Sequence, residues 1–163
     1  MLIAIDRSTS PARVRAIADD AAARVVPAAL LREQGARLFQ NNERIAIRLE
    51  ADESLEPLKD HLAKIARIDI AFPAFTDGRP FSKAFRLRRY LRFSGGVRAV
   101  GQVLPDQIFF LSRAGFDSIE VPGPLDADFL HYLANKFSGA YQPGADGRGG
   151  VRNPTGDGAF EHD

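Results

Sequence analysis

The chain has 163 residues, enough for one domain with tails, and its 45% hydrophobic and 26% charged composition excludes wholesale disorder. It has no cysteine, which removes disulfides, thiol nucleophiles, CxxC redox chemistry and cysteine-ligated metal or iron–sulfur sites. The 22 basic and 21 acidic residues nearly cancel, so global charge selects neither a nucleic-acid nor a membrane partner.

The opening residues up to Asp20 carry Asp6, Arg7, Arg13 and Arg15 among their apolar positions and lack the apolar centre of a signal peptide. No apolar run approaches the ~20 residues that span a bilayer. A soluble, cytoplasmic protein is expected. Pro11 to Arg24 is alanine-rich and reads as a short helix, Val25-Val26-Pro27 as a brief extended piece, and Ala28 to Leu38 as a helix interrupted at Gly35. Residues 1–43 are therefore expected to form a helical or irregular leading segment.

From Arg44 the pattern becomes regular. Ile45 to Leu49 alternates as a strand, and a helix with Leu55, Leu58, Leu62 and Ile65 follows, capped by Ser54. Ile68 to Phe72 is the next strand, closed by Pro73. Thr76-Asp77-Gly78 is a turn, and Pro80 suits a first helical position before Phe81, Ala84, Phe85 and Leu91. Gly95-Gly96 ends that helix, and Val97 to Val100 is a third strand. Pro105 opens a third helix, with Asp106 in its first turn and Gly115 as its stop. Ser118 to Val121 is a fourth strand and Leu125 to Phe137 a fourth helix. The glycine-rich stretch 141–163 has little to bury and is expected to be a flexible tail.

Residues 44–140 thus read as an α/β domain of four consecutive βα units. Strands joined by helices are parallel, with right-handed crossovers. Two closures fit: a half-TIM-barrel-like (βα)₄ with all helices on one side, or a doubly wound sheet. Each strand places one charge in an apolar run, at Arg48, Asp69, Arg98 and Glu120. A sheet covered on both faces has near-continuous apolar strands. The charges therefore favour the half barrel, with an ionic row of alternating sign on its concave face; charges at strand ends in solvent are the competing reading.

Loops after parallel strands gather on one rim, where ligands bind. The candidates there are Thr76, Asp77, Arg79, Gln102 and Asp106, joined by Arg98 on the polar strand face. Asp77 is the candidate general base and Arg79 an anion clamp; the competing role of Asp77 is to cap the helix opening near Pro80, and that of Asp106 is to complement a helix dipole. Arg79 to Arg98 holds seven basic residues and no acid. Its aromatic residues Phe81, Phe85, Tyr90 and Phe93 fall at helical spacing, so they face the core. The arginines then form a solvated side that fits an acidic protein partner better than nucleic acid. His61, His131 and His162 are isolated, so no metal site is expected. The glycine fingerprints of nucleotide sites and the G-x-S-x-G of serine hydrolases are absent.

Phe72-Pro73, Phe75-Thr76-Asp77-Gly78-Arg79, Ser82, Leu87-Arg88, Arg98-Ala99-Val100-Gly101, Asp106-Gln107 and Arg113-Ala114-Gly115-Phe116-Asp117 resemble the bacterial family described as domain of unknown function 934. The resemblance runs from about Ile45 to Arg148. The family is often labelled an oxidoreductase of sulfite reduction. The resemblance implies association with assimilatory sulfite or sulfate reduction; because no side chain here is redox-active, the expected role is that of an accessory or binding protein, with sulfite reductase or another sulfur-assimilation enzyme as partner or a small oxyanion as ligand through Arg79 and the polar strand face. The alternative it implies is a cofactor-dependent or acid–base enzyme with Asp77 and Arg79 at its site; it names no cofactor. The chain departs from the family pattern at Gln102, where an acid is common, at Pro105, where a base is common, and at Ala114, where some relatives have cysteine. That last change excludes a thiol mechanism there. A half barrel leaves two sheet edges and one face uncovered, so a homodimer is expected.

Overall fold

The computed structural model describes residues 1–7, 13–17, 23–41, 43–137 and 144–145. The expected tail at 141–163 lies outside these residues apart from 144 and 145. The chain begins with strand β1 (Leu2–Asp6), strand β2 (Arg13–Ile17) and strand β3 (Arg24–Pro27). Helix α1 (Ala28–Gln34) then runs into a 3₁₀ turn at Gly35–Phe39. Strand β4 (Ile45–Leu49) leads through a 3₁₀ helix (Glu56–Lys64) to strand β5 (Ile65–Phe72). Helix α2 (Arg79–Arg89), strand β6 (Gly96–Gly101), a 3₁₀ turn (Pro105–Gln107), helix α3 (Ile108–Ala114), strand β7 (Ser118–Glu120) and helix α4 (Ala127–Ala134) complete the order.

The strands form one seven-stranded sheet in the order β2-β1-β7-β6-β5-β4-β3. The four strands expected from the sequence are present, and β4, β5, β6 and β7 pair parallel in chain order. The four-stranded expectation is nevertheless too small. Strand β3 adds a fifth parallel member beside β4, while β1 lies antiparallel to both β7 and β2. Arg13–Ile17, expected within a helix, is a strand. Its partners are the residues of β1, and a local run of alanines carries no trace of them. The element over Glu56–Lys64 is a 3₁₀ rather than an α-helix, with the Ser54 hydroxyl accepting from the Glu56 N–H at 3.1 Å.

Pleat alternation sorts the sheet into two faces. Ile47, Leu49, Ile68, Ile70, Phe72, Val97, Ala99 and Ile119 share one hydrophobic cluster with Leu31, Leu58, Ala84, Leu87, Ile108, Leu111, Leu130 and Ala134 from the helical elements. All of the described helices therefore contribute to one side. The opposite pleat carries Arg48, Arg67, Asp69, Arg98, Ser118 and Glu120. Arg48 lies opposite Asp69, and Asp69 opposite Arg98, as the alternating row requires. Beyond that the row differs from the expectation. Arg98 faces Ser118, and Glu120 sits two residues further along, opposite Leu2. The partner of Asp69 was also unforeseen. Arg67, two residues earlier on the same strand, reaches Asp69 with Nε at 2.6 Å and Nη2 at 3.1 Å, whereas Arg98 Nε stays 4.0 Å away.

The amino-terminal edge of the parallel strands is locked by a second group. Asp117 accepts from Arg7 Nε at 2.9 Å, from the Val97 N–H at 2.8 Å and from Arg88 Nη2. Arg88 also donates to the carbonyls of Gly115 at 3.0 Å, Phe93 at 2.6 Å and Gly95 at 2.7 Å. It was expected on a solvated face, yet its side chain is only 9% exposed. Burial lowers its pKa against the opposing pull of Asp117. Gly115, expected as a helix stop, does end α3 at φ 110, a left-handed conformation that glycine adopts freely. Asp117→Ala strips two guanidinium groups and one amide of their acceptor. The urea midpoint should fall by about 2–3 kcal/mol equivalent with an unchanged denaturant slope, the partial exposure of the carboxylate holding the loss below that of a fully buried pair.

Candidate functional site

The carboxyl-terminal rim is built by the loops that follow β5, β6 and β7. After β5, the turn does what the capping reading required. Asp77 Oδ1 accepts from the Arg79 N–H at 2.9 Å, satisfying one of the donors at the start of α2. The Arg79 guanidinium folds back on the same carboxylate, with Nη2 at 2.6 Å from Oδ2 and Nε at 3.1 Å from both oxygens. These side-chain and backbone hydrogen bonds from Arg79 hold the Asp77 carboxyl below its ordinary 3.8. The same contact raises the pKa of Arg79 above its ordinary value. In this arrangement Asp77 is a poor base and Arg79 already has an anion. Lys83, one turn along α2, donates to the Glu53 carbonyl; burial, and then the nearby Arg79 charge, lower its pKa.

After β6 the chain turns on Gly101, at φ 93. A side chain there would place its Cβ 2.7 Å from the Phe72 carbonyl oxygen, so the position requires glycine. The Gln102 N–H donates to that same carbonyl at 2.9 Å. Gln107 then joins the two loops. Its Oε1 accepts from the Leu104 N–H at 3.0 Å, and its Nε2 donates to the Phe75 carbonyl at 2.9 Å. Gln107 was not among the sequence candidates. Its position three residues after Leu104, at the third place of a helical turn, is the capping-box place for glutamine and was the available clue.

Between these loops and the charged face of the sheet lies a cleft of about 690 Å³. Arg48 and Glu120 stand among its walls, Val100 and Val121 line it below, and Phe75 and Gln102 line it at the rim. Phe75 is 52% exposed there. Arg48 is tethered to Glu50, Nε to Oε1, at 3.0 Å. Of the residues proposed from the sequence, Gln102 lines this cleft. Thr76, Asp77, Arg79, Asp106 and Arg98 do not. Thr76 and Asp106 are exposed in their turns, and Arg98 is buried deeper on the sheet face beside Asp69. Arg48 and Glu120 had been noted as members of the charge row, not as site residues; the cleft brings them together because their strands present the same face.

Among the described residues no group of His, Asp and Glu has the arrangement of a metal site. No described helix is long and apolar enough to cross a membrane. The fold is that of a mixed α/β protein with an open cleft, lined by both Arg48 and Glu120, at the carboxyl edge of its sheet. By its sequence it belongs to the family described as bacterial protein of unknown function (DUF934), whose family model matches residues 46–151. That span runs from β4 through α4 and takes in most of the cleft residues. No curated protein and no solved structure matches the chain.

Asp77→Asn tests the capping role of the turn. Because Asp77 titrates lower in the folded protein than its ordinary 3.8, its contribution is complete above that value and disappears as pH falls through the folded pKa. The variant should melt a few degrees below wild type at pH 7, and the two melting temperatures should converge in the acid range below pH 3.8.

Proposed function

We propose that this protein is a non-redox accessory factor of assimilatory sulfite or sulfate reduction that docks a partner enzyme at the cleft on the carboxyl rim. The half-barrel reading of the four central βα units belongs to this proposal. The observation that carries it is the cleft itself, with Arg48 and Glu120 both lining an apolar floor. The association with sulfur assimilation rests on the family resemblance. A two-signed cleft suits a polypeptide segment carrying both charges better than free sulfite, because Glu120 opposes an anion. The small-oxyanion reading is further weakened by the carboxylate partners already held by Arg79 and Arg48.

The alternative is an acid–base enzyme with Asp77 as base. Asp77 is oriented toward its own helix start and held ionised by Arg79, which favours the capping role. A base of such low pKa has little driving force for proton abstraction near neutrality.

Purified sulfite reductase from the same cells, immobilised and titrated with this protein, separates the two. Saturable binding is expected, and Arg48→Glu and Glu120→Arg should each weaken it about tenfold, equivalent to ~1.4 kcal/mol, without a change in melting temperature. Absence of binding, or a turnover by the protein alone that Asp77→Asn abolishes, overturns the proposal.

A further inference from the structure

Helix α2 hides one side and shows another. Ala84 and Leu87 are buried in the core, and Arg88 turns inward to Asp117. Arg86 and Arg89 are exposed on the helix, and Arg92 is exposed just beyond its end. No carboxylate among the described residues pairs with any of these three. Tyr90, expected from its spacing to face the core, is instead 70% exposed because it follows the last residue of α2, with its ring edge-on to Phe85 at 6.2 Å. Cations in the last turn of a helix gain from its dipole, which accounts for Arg86 and Arg89 in part. It does not account for Arg92.

Arg92 has φ 53 and is the one non-glycine residue with positive φ among the described residues. The backbone around it closes the helix, with the Leu91 N–H donating to Arg86 O at 3.0 Å and the Phe93 N–H to Leu87 O at 2.9 Å. Glycine occupies this conformation without penalty, and the chain uses it at Gly115 to end α3. At Arg92 a guanidinium is held instead in a conformation its backbone disfavours, beside two further arginines that pair with no carboxylate among the described residues. A conformation kept against its backbone preference is a reason to look for function.

We propose that Arg86, Arg89, Arg92 and Tyr90 form a docking face for an acidic protein surface, separate from the cleft because α2 packs on the opposite side of the sheet. Guanidinium forks match carboxylates in bidentate fashion, and exposed Arg and Tyr are the side chains that dominate protein interfaces. The face spans seven residues, Arg86 to Arg92, of which Arg86 to Arg89 lie on the helix. With three unpaired cations on a chain of net charge +1, it is too small and too weakly charged for duplex DNA, where binding proteins neutralise about 6–10 phosphates, and it falls short of the ~4–8 basic residues of an anionic-lipid patch.

The test uses the full chain with three probes: poly-L-glutamate, a 20-base-pair duplex of about two helical turns, and phosphatidylserine vesicles. Poly-L-glutamate should bind in a salt-sensitive manner, more tightly than either other probe, and the R86E/R89E double variant should lose at least tenfold in affinity at an unchanged melting temperature. Arg92→Gly should raise the melting temperature while lowering affinity for poly-L-glutamate several-fold, a combination that a purely structural role would not produce. No binding of poly-L-glutamate, tighter binding of the duplex or the vesicles, or an R92G variant that binds as well as wild type overturns the assignment. Cleft variants at Arg48 and Glu120 should leave this binding unchanged, so its failure and that of the cleft proposal are distinguishable.

Discussion

The Asp69 carboxylate, shielded from water on the sheet face opposite the helix-packed core, is the constraint from which much of the architecture follows. A charge so placed must be neutralised by its neighbours. Arg67 does so with two hydrogen bonds along the same strand, and Arg98 stands across from it on the next strand. A slip of one residue in either of these strands would carry a charge into the apolar core and an apolar side chain out of it. The charged face and the hydrophobic face thus enforce the same register. That register puts Arg48 and Glu120 on one face near the carboxyl ends of their strands, where the cleft forms.

The two edges of the parallel strands divide the work. At the amino edge, Asp117 gathers Arg7, Arg88 and the Val97 amide, and Arg88 gathers three carbonyls from the segments around it. Those groups satisfy one another and leave little with which to bind anything else. At the carboxyl edge Gln107 joins the loops after β5 and β6, and Phe75 and Leu104 remain exposed. Parallel α/β folds commonly hold stability at the first edge and binding at the second; here the ion-pair cluster lies at the first and the cleft at the second.

Much of this was legible in the residues. The Asp77-Gly78-Arg79-Pro80 turn, the Gly115 stop and the four central strands each rest on local chemistry: a cap, a left-handed glycine, period-2 alternation. Other features were not legible, for identifiable reasons. Strand β1 pairs with Ser118–Glu120, more than a hundred residues away, so no local pattern announces it. Arg88 resembles its neighbours in a basic run, and only the helical phase it shares with Ala84 hints that it points inward. Arg67 precedes the apolar run that marks the strand in the sequence, yet it lies two residues from Asp69, the spacing that places side chains on one face.

The amino-acid order determined which segments become strands and helices from Arg44 onward, which face of each strand is charged, and where the turns fall, because each depends on neighbours within a few positions. Only the tertiary structure decided that the leading residues extend the sheet to seven strands, that Arg79 is consumed by Asp77, and that Arg48 and Glu120 line one cleft. These outcomes depend on groups brought together from distant parts of the chain or on the torsions of individual side chains, and short-range periodicity contains neither.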